Sequence, residues 1–309
     1  MARRDDTCCT TERFRQAYSA PRNPALREVV REVLGTDFGV AGTTTRAEAD
    51  RLGRLLDLGP GKRLLDVGSG RGWPGLYLAR ETGCEVVSAD VPFEGLGTGM
   101  RRAGREGLAG RACFVAASGD ALPLRSASFD AVVHTEVLCC LAPKLAVLRA
   151  TRRALRSGGV TAFSVIFPVP GLSPGERRRV RQAGPPAVAV RTSYQSMLRS
   201  AGFVGIDEHD LTATWLATAR RAQRVWDERA AELIAGLGAE EFDDSQTKRS
   251  RSIAATEAGL LRRAIFVARR APDSTRSAGR RAASSTAAAG RGTPRERVPF
   301  TVVTSGNGP

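Results

Sequence analysis

Lysine is nearly missing from this 309-residue sequence: only Lys62, Lys144 and Lys248 stand among 47 basic side chains. Such a skew, beside abundant Ala and Gly, reads as GC-rich coding bias rather than as a surface selected to bind phosphates. The net charge of +15 is therefore a weak pointer to nucleic acid. Part of that charge also falls in residues 270–309, which hold seven Arg against Asp273 and Glu296. No run of about 18 uninterrupted apolar residues occurs, which argues against a membrane-spanning helix. The opening Met1-Ala-Arg-Arg-Asp-Asp lacks the apolar centre of a secretory signal, so the cytoplasm is the expected compartment. No C-x-x-C spacing exists, which removes the common zinc patterns and leaves no metal expected. The six cysteines include two adjacent pairs, Cys8-Cys9 and Cys139-Cys140, a poor arrangement for disulfides. All six are read as reduced thiols.

What is present is an alternation of short apolar runs and helical patterns, long enough to bury a sizeable core. Residues 1–20 are polar, weakly patterned and expected to be flexible. Ala25–Leu34 has apolar residues at helical spacing and stops at Gly35, and Thr43-Thr-Thr can cap a helix over 46–58. Strands are predicted at 63–67, 85–89, 112–116, 129–134, 160–167, 203–208 and 261–268. Helices are predicted between them at 74–81, 99–106, 143–155, 192–201 and 215–235. Residues 168–186 read as a Pro/Gly/Arg-rich loop, and Ser157-Gly158-Gly159 as the close of the helix before strand five. This rhythm is that of a mostly parallel sheet covered by helices on both faces. The body is placed at 21–271, and residues 272–309 are expected to be a disordered basic tail.

The strongest local signal is Leu64-Leu-Asp66-Val-Gly68-Ser-Gly70-Arg-Gly72-Trp-Pro-Gly75. A strand that ends in closely spaced glycines and turns into a helix lets a ligand approach the backbone. Gly70-x-Gly72-x-x-Gly75 alone also fits the dinucleotide fingerprint, so a nicotinamide-linked oxidoreductase is an alternative. Three acids separate the readings. Asp66 precedes the glycines, where it can attract a cationic amino acid portion; Asp90 ends strand two, where it can accept both ribose hydroxyls. Asp120 follows strand three, where it can meet an adenine amino group. A dinucleotide needs neither Asp66 nor Asp120.

With Gly119-Asp120-Ala121-Leu-Pro, Ser128-Phe-Asp130-Ala-Val-Val and Leu155-Arg-Ser-Gly-Gly-Val160, the set over roughly residues 60–168 resembles the class I S-adenosylmethionine-dependent methyltransferases. Gly35–Thr45 resembles the entry segment of the small-molecule members near the sarcosine, tocopherol and sterol groups. The resemblance implies a doubly wound, mostly parallel seven-stranded α/β sheet, with N-terminal helices and a helical insertion before the last strand. It implies S-adenosylmethionine as cofactor. Asp66 and the backbone of Gly68, Ser69 and Gly70 would face its methionine part, Gly72 would also bind the cofactor, and Asp90 would hold its ribose. Val91 would lie against the adenine ring, Gly119, Asp120 and the Ala121 N–H at the adenine edge, and His134 and Thr135 beside the sulfonium. Tyr18 would reach the cofactor carboxylate. His134, placed at the end of strand four, is a candidate general base or equally a polar wall residue hydrogen-bonded to the cofactor, and Glu136 and Tyr194 are further acid/base candidates. Cys140 stands where many relatives carry a histidine, so that base is missing. Pro92-Phe93 also departs from the usual polar start of the following helix.

Further absences narrow the acceptor. No Asn/Asp-Pro-Pro-Tyr run follows strand four, no Pro-Cys nucleophile occurs, and the double-glutamate loop of arginine methylation is missing. These disfavour DNA-base and arginine acceptors and favour a small molecule, with Phe167, Tyr194, Trp215 and Trp226 available as pocket lining or as core. A methyltransferase of nucleic acid or another macromolecule, working through Arg177-Arg-Arg179 and the arginines of 220–229, is the alternative.

Overall fold

The computed structural model describes residues 5–19, 23–38 and 42–273. Seven strands form one sheet: β1 (Arg63–Val67), β2 (Glu85–Asp90), β3 (Ala112–Ala116), β4 (Phe129–Thr135), β5 (Leu155–Pro168), β6 (Phe203–Asp210) and β7 (Leu261–Arg270). Their spatial order is β3-β2-β1-β4-β5-β7-β6. β1 to β5 run parallel, whereas β7 lies antiparallel between β5 and β6. The order reverses beside β1, and in open sheets of this kind ligands bind outside the carboxyl ends of the strands at that point.

Both faces of the sheet are buried, which is why its central strands read as continuous apolar runs. One face packs Leu65, Val132, Leu148, Phe163, Tyr194 and Leu198. The other packs Leu52, Leu64, Trp73, Leu76, Val133 and Ile265. Crossovers are made by α4 (Gly75–Thr82), α5 (Phe93–Arg105) and α6 (Lys144–Ala154). Ahead of the sheet come α1 (Asp5–Ser19), α2 (Pro24–Leu34) and α3 (Arg46–Leu55). In α2 the Asn23 side chain accepts from the N–H groups of Ala25 and Leu26, and Gly35 closes the helix at φ 70°. Thr45 and Glu48 form a capping box at the start of α3, with the Thr45 hydroxyl accepting from Glu48 N–H and the Glu48 carboxylate from Thr45 N–H.

Several expectations change. The flexible segment at 1–20 contains α1, which is held by docking rather than by an apolar stripe. Arg71 donates to the carbonyls of Ala17 (2.9 Å) and Tyr18 (3.2 Å), and Arg15 faces Glu94 at 3.8 Å. The loop at 168–186 contains α7 (Pro174–Ala183), begun by a Ser173/Glu176 capping box with proline in the first turn. Ser157-Gly158-Gly159 lies inside β5: Leu155 pairs with Phe129 and Val160 with Ala131, so residues 156–159 bulge from the ladder. The helix expected at 215–235 is two, α9 (Thr212–Glu228) and α10 (Ala230–Leu237), after the short α8 (Tyr194–Ser200). A further helix, α11 (Ala239–Glu257), completes the insertion before β7. Trp215 packs with Ile166 and Val180, and Trp226 with Val29 and Phe242. The expected tail lies, from Ser274 onward, outside the described residues.

Candidate active site

β1 delivers Asp66 and then a loop in which Gly68, Gly70 and Gly72 hold φ of 71°, 52° and 95°. These are left-handed conformations that favour glycine. Close approach demands glycine as well. A Cβ on Gly68 would stand 2.3 Å from a Val137 methyl, one on Gly70 2.7 Å from the Tyr18 hydroxyl, and one on Gly75 2.6 Å from Asp66 Oδ2. Val137 and Tyr18 therefore rest directly on the loop.

The loop is held by its own N–H groups. Gly68 and Ser69 donate to the Ala89 carbonyl at 2.7 and 3.2 Å, and Gly70 donates to Asp90 Oδ2 at 2.6 Å. Gly72 and Trp73 donate to the Ser69 carbonyl, and Gly75 to Asp66 Oδ2 at 2.9 Å. The expectation that the Gly68, Ser69 and Gly70 backbone as a whole faces a ligand is thus corrected for its donors, which are engaged inside the protein. What remains is acceptor-rich: Asp66 Oδ1 and Ser69 Oγ are buried and have no hydrogen-bond partner among the described residues. Burial pushes the Asp66 carboxyl well above the usual carboxylate range, against the Gly75 N–H and with the charge of Asp90 adding to the rise.

Asp90 ends β2 and takes N–H groups on both oxygens, Gly70 on Oδ2 and Val91 on Oδ1 at 2.7 Å. Burial nevertheless raises its pKa, with both N–H groups opposing. Each carboxylate oxygen keeps a further lone pair for a hydroxyl donor. Val91 is 44% exposed next to it. Beyond β3, Gly119 is buried with Val67 and Val147 where a Cβ would be, and the exposed Asp120 accepts from the Ser118 hydroxyl. The Ala121 N–H expected at an adenine edge instead donates to the Ser118 carbonyl at 3.0 Å, closing that turn.

The acid/base candidates leaving β4 differ most from expectation. His134 is fully buried and stacked on Phe163 at 4.5 Å and 15°, and among the described residues neither ring nitrogen has a partner. Burial lowers its pKa to about 3. Thr135, half-buried, pairs with Ser164 in the ladder. Tyr194 lies among Phe163, Phe167 and Phe266, its hydroxyl buried and without a partner among the described residues, and burial raises its pKa well above the usual phenol value. Neither His134 nor Tyr194 faces solvent, so the structure does not support the expectation of proton exchange by either. The Tyr18 hydroxyl is likewise pushed up, first by burial and then by the charge of Asp90.

Glu136 adopts φ 59°, an unusual conformation for a side chain of its size. It is bound on two sides. Thr43 donates its N–H to Oε2 at 3.0 Å and its hydroxyl to Oε1 at 2.5 Å, and Arg263 faces Oε1 at 3.0 Å. Arg263 also grips both oxygens of Glu48 and touches the Thr44 hydroxyl at 3.3 Å. Sequence reasoning missed the roles of Arg263, Glu48, Thr43 and Thr44 here: it read Thr43-Thr-Thr only as a helix cap, and no local motif marks the contacts made to Arg263.

A strand-to-helix glycine loop flanked by buried acids, at the point where a doubly wound sheet reverses order, defines an adenosyl-cofactor site of the methyltransferase type. A family described as "Methyltransferase domain" matches residues 65–163. The 27-O-demethylrifamycin SV methyltransferase of Amycolatopsis mediterranei is 32% identical over 186 residues, covering 58% of this chain and 68% of that protein. A phosphoethanolamine N-methyltransferase of Triticum aestivum is 28% identical over 76% of this chain, which spans about half (46%) of that protein's length. Among solved structures, Haemonchus contortus phosphoethanolamine N-methyltransferase 2 with S-adenosyl-L-methionine shares the fold at TM-score 0.69 and 17% identity, over 84% of this chain and 60% of that one. The chain belongs to the class I S-adenosylmethionine-dependent methyltransferases.

Proposed function

We propose that the chain methylates a small organic acceptor, held at the carboxyl ends of β4 and β5 beneath α1. The observation that carries this reading is the cover over the glycine loop, where Tyr18 lies on Gly70 and Arg71 holds the carbonyls of residues 17 and 18. A site roofed by its own chain suits a ligand small enough to be enclosed. The rifamycin and phosphoethanolamine enzymes to which the chain is similar are named for small molecules, which supports the same reading. Arg220 and Arg229, part of the nucleic-acid alternative, pair instead with Glu257 (2.6 Å) and Glu32 (3.4 Å).

The residues fit the cofactor. The unpartnered Asp66 Oδ1 and Ser69 Oγ offer acceptors to a cationic amino acid group, with the Gly68–Gly72 backbone beside them. Asp90 and Val91 are assigned to the ribose and adenine, Gly119 and Asp120 to the adenine edge, and Thr135 to the exit of β4. Six loop N–H groups are engaged internally, whereas a pyrophosphate would require such groups free. This weighs against a nicotinamide dinucleotide.

S-adenosylmethionine supplies an electrophilic methyl group on a cationic sulfur when it is bound. The chain's own work is to orient the acceptor and exclude water, and orientation alone contributes about 7–11 kcal/mol in favourable cases. We assign His134 and Tyr194 to packing and Glu136 to tethering the segment at Thr43, and none of the three to proton transfer. The catalytic body is taken to run over residues 5–273, with α1 included and 274–309 appended. A reducing compartment such as the cytoplasm suits Cys84, Cys113, Cys139 and Cys140, which form no disulfide among the described residues.

The test is transfer of labelled methyl from S-adenosylmethionine into a cell extract separated into small-molecule, protein and nucleic-acid fractions. Label is expected in the small-molecule fraction; label confined to a polymer overturns the proposal.

A further inference from the structure

Two carboxylates and one guanidinium make up the buried cluster at the end of β4. The Arg263 side chain is 0% exposed, Glu48 7% and Glu136 13%. Arg263 is shared by both acids, and among the described residues the other groups bonded to them are neutral: Thr43 N–H and hydroxyl on Glu136, and Thr45 N–H on Glu48. With both acids ionised, one negative charge is left uncompensated within the cluster. In a site shielded from water that charge acts on its neighbours more strongly than an exposed one would.

The cluster adjoins the glycine loop. Glu136 follows β4 directly, and its chain neighbour Val137 is the residue whose methyl fills the space above Gly68. Glu136 Oε2 stands 2.7 Å from the Cβ position of Gly42, so the entry segment closes on it from the other side. Asp66, two residues before Gly68, contributes the buried Oδ1 that has no partner among the described residues. The left-handed backbone of Glu136 is strained, and such strain persists only where the surroundings hold it in place. Here three groups, from Thr43 and Arg263, hold the carboxylate.

We infer that Glu136 is a specificity-determining residue whose charge makes the site favour the cationic methyl donor over its neutral product. This rests on the methyltransferase reading. S-adenosylmethionine and S-adenosylhomocysteine differ by one methyl and one positive charge, so a shape-based pocket separates them weakly. The uncompensated charge of the Glu136–Arg263–Glu48 cluster acts on that difference. A group that only tethers the Thr43 segment would act on both ligands alike.

The experiment measures equilibrium binding of S-adenosylmethionine and S-adenosylhomocysteine to the full chain by calorimetry, at low and high salt. Glu136→Gln keeps the size of the side chain and removes its charge. It is expected to weaken S-adenosylmethionine roughly tenfold more than S-adenosylhomocysteine, a change of about 1.4 kcal/mol in the difference between them. Glu136→Asp keeps the charge and should hold the wild-type ratio of affinities even if both ligands bind more weakly. Glu48→Gln removes the other carboxylate and is expected to shift the ratio in the same direction, so the proposal can be judged if Glu136→Gln fails to fold. Equal weakening of both ligands in the charge-removing variants, or an unchanged ratio, overturns the inference. Failure of the wild type to bind either ligand would instead overturn the cofactor reading.

Discussion

Replacing His134 with phenylalanine should flatten part of the acid sensitivity of folding. The folded pKa of about 3 lies below the ordinary value of 6.5 because burial penalises the charged ring. The folded state therefore keeps His134 neutral, while the unfolded chain takes up a proton once pH falls through about 6.5. The stability tied to this residue is fully present above that point and declines as pH falls toward 3. At pH 5 the interval below 6.5 is about 1.5 units, and at about 1.36 kcal/mol per unit the loss is roughly 2 kcal/mol. Urea unfolding of wild type and His134→Phe at pH 7 and pH 5 measures it. Asp66 and Asp90, whose raised pKa values work in the opposite sense, are common to both proteins and cancel in the comparison. The wild type should lose about 2 kcal/mol more than the variant. A difference that stays within about 0.5 kcal/mol, or a histidine resonance of His134 titrating near neutrality, would refute the burial argument.

Three other perturbations address the site and its support. Asp90→Ala removes the acceptor of the Gly70 and Val91 N–H groups, so calorimetric affinity for S-adenosylmethionine should fall about ten- to hundredfold and the melting temperature should drop with it. Gly70→Ala places a methyl 2.7 Å from the Tyr18 hydroxyl at φ 52°; weakened cofactor binding with a loss of about 1–2 kcal/mol in urea unfolding is expected. Arg263→Leu leaves Glu48 and Glu136 buried without their cation, and chemical unfolding should show a loss of about 3–5 kcal/mol.

The strands and the glycine loop were legible because their physics is local. A buried parallel strand must be apolar along its whole length, and a left-handed turn at Gly68 to Gly72 favours glycine. Asp66 and Asp90 followed from their places at strand ends. The helices α1 and α11 were not legible, since α1 is held by docking of Arg71 and Arg15 partners and α11 has charged residues through its sequence. In α7 the signal was present, in Ser173-Pro-Gly-Glu176, but the surrounding Pro, Gly and Arg concealed it. Sequence placed His134 at the end of β4 without fixing its face, and in a strand the next residue points the opposite way. Arg263 and Glu48 are 215 positions apart, so their pairing has no sequence signature.

The internal hydrogen bonds of the glycine loop also bear on how binding energy is used. Six of its N–H groups are satisfied by Ala89, Asp90, Ser69 and Asp66 in the protein itself. A ligand meets a backbone already in shape and spends little of its interaction energy on ordering it, so more of that energy appears as affinity. The same economy links two properties that are separate in most surface sites. Asp90 shapes the loop and is also the residue we assign to the ribose, so on that assignment a substitution there should reduce stability and affinity together. The hydrogen bonds that shape the loop thereby tie its readiness for a ligand to the stability of the fold.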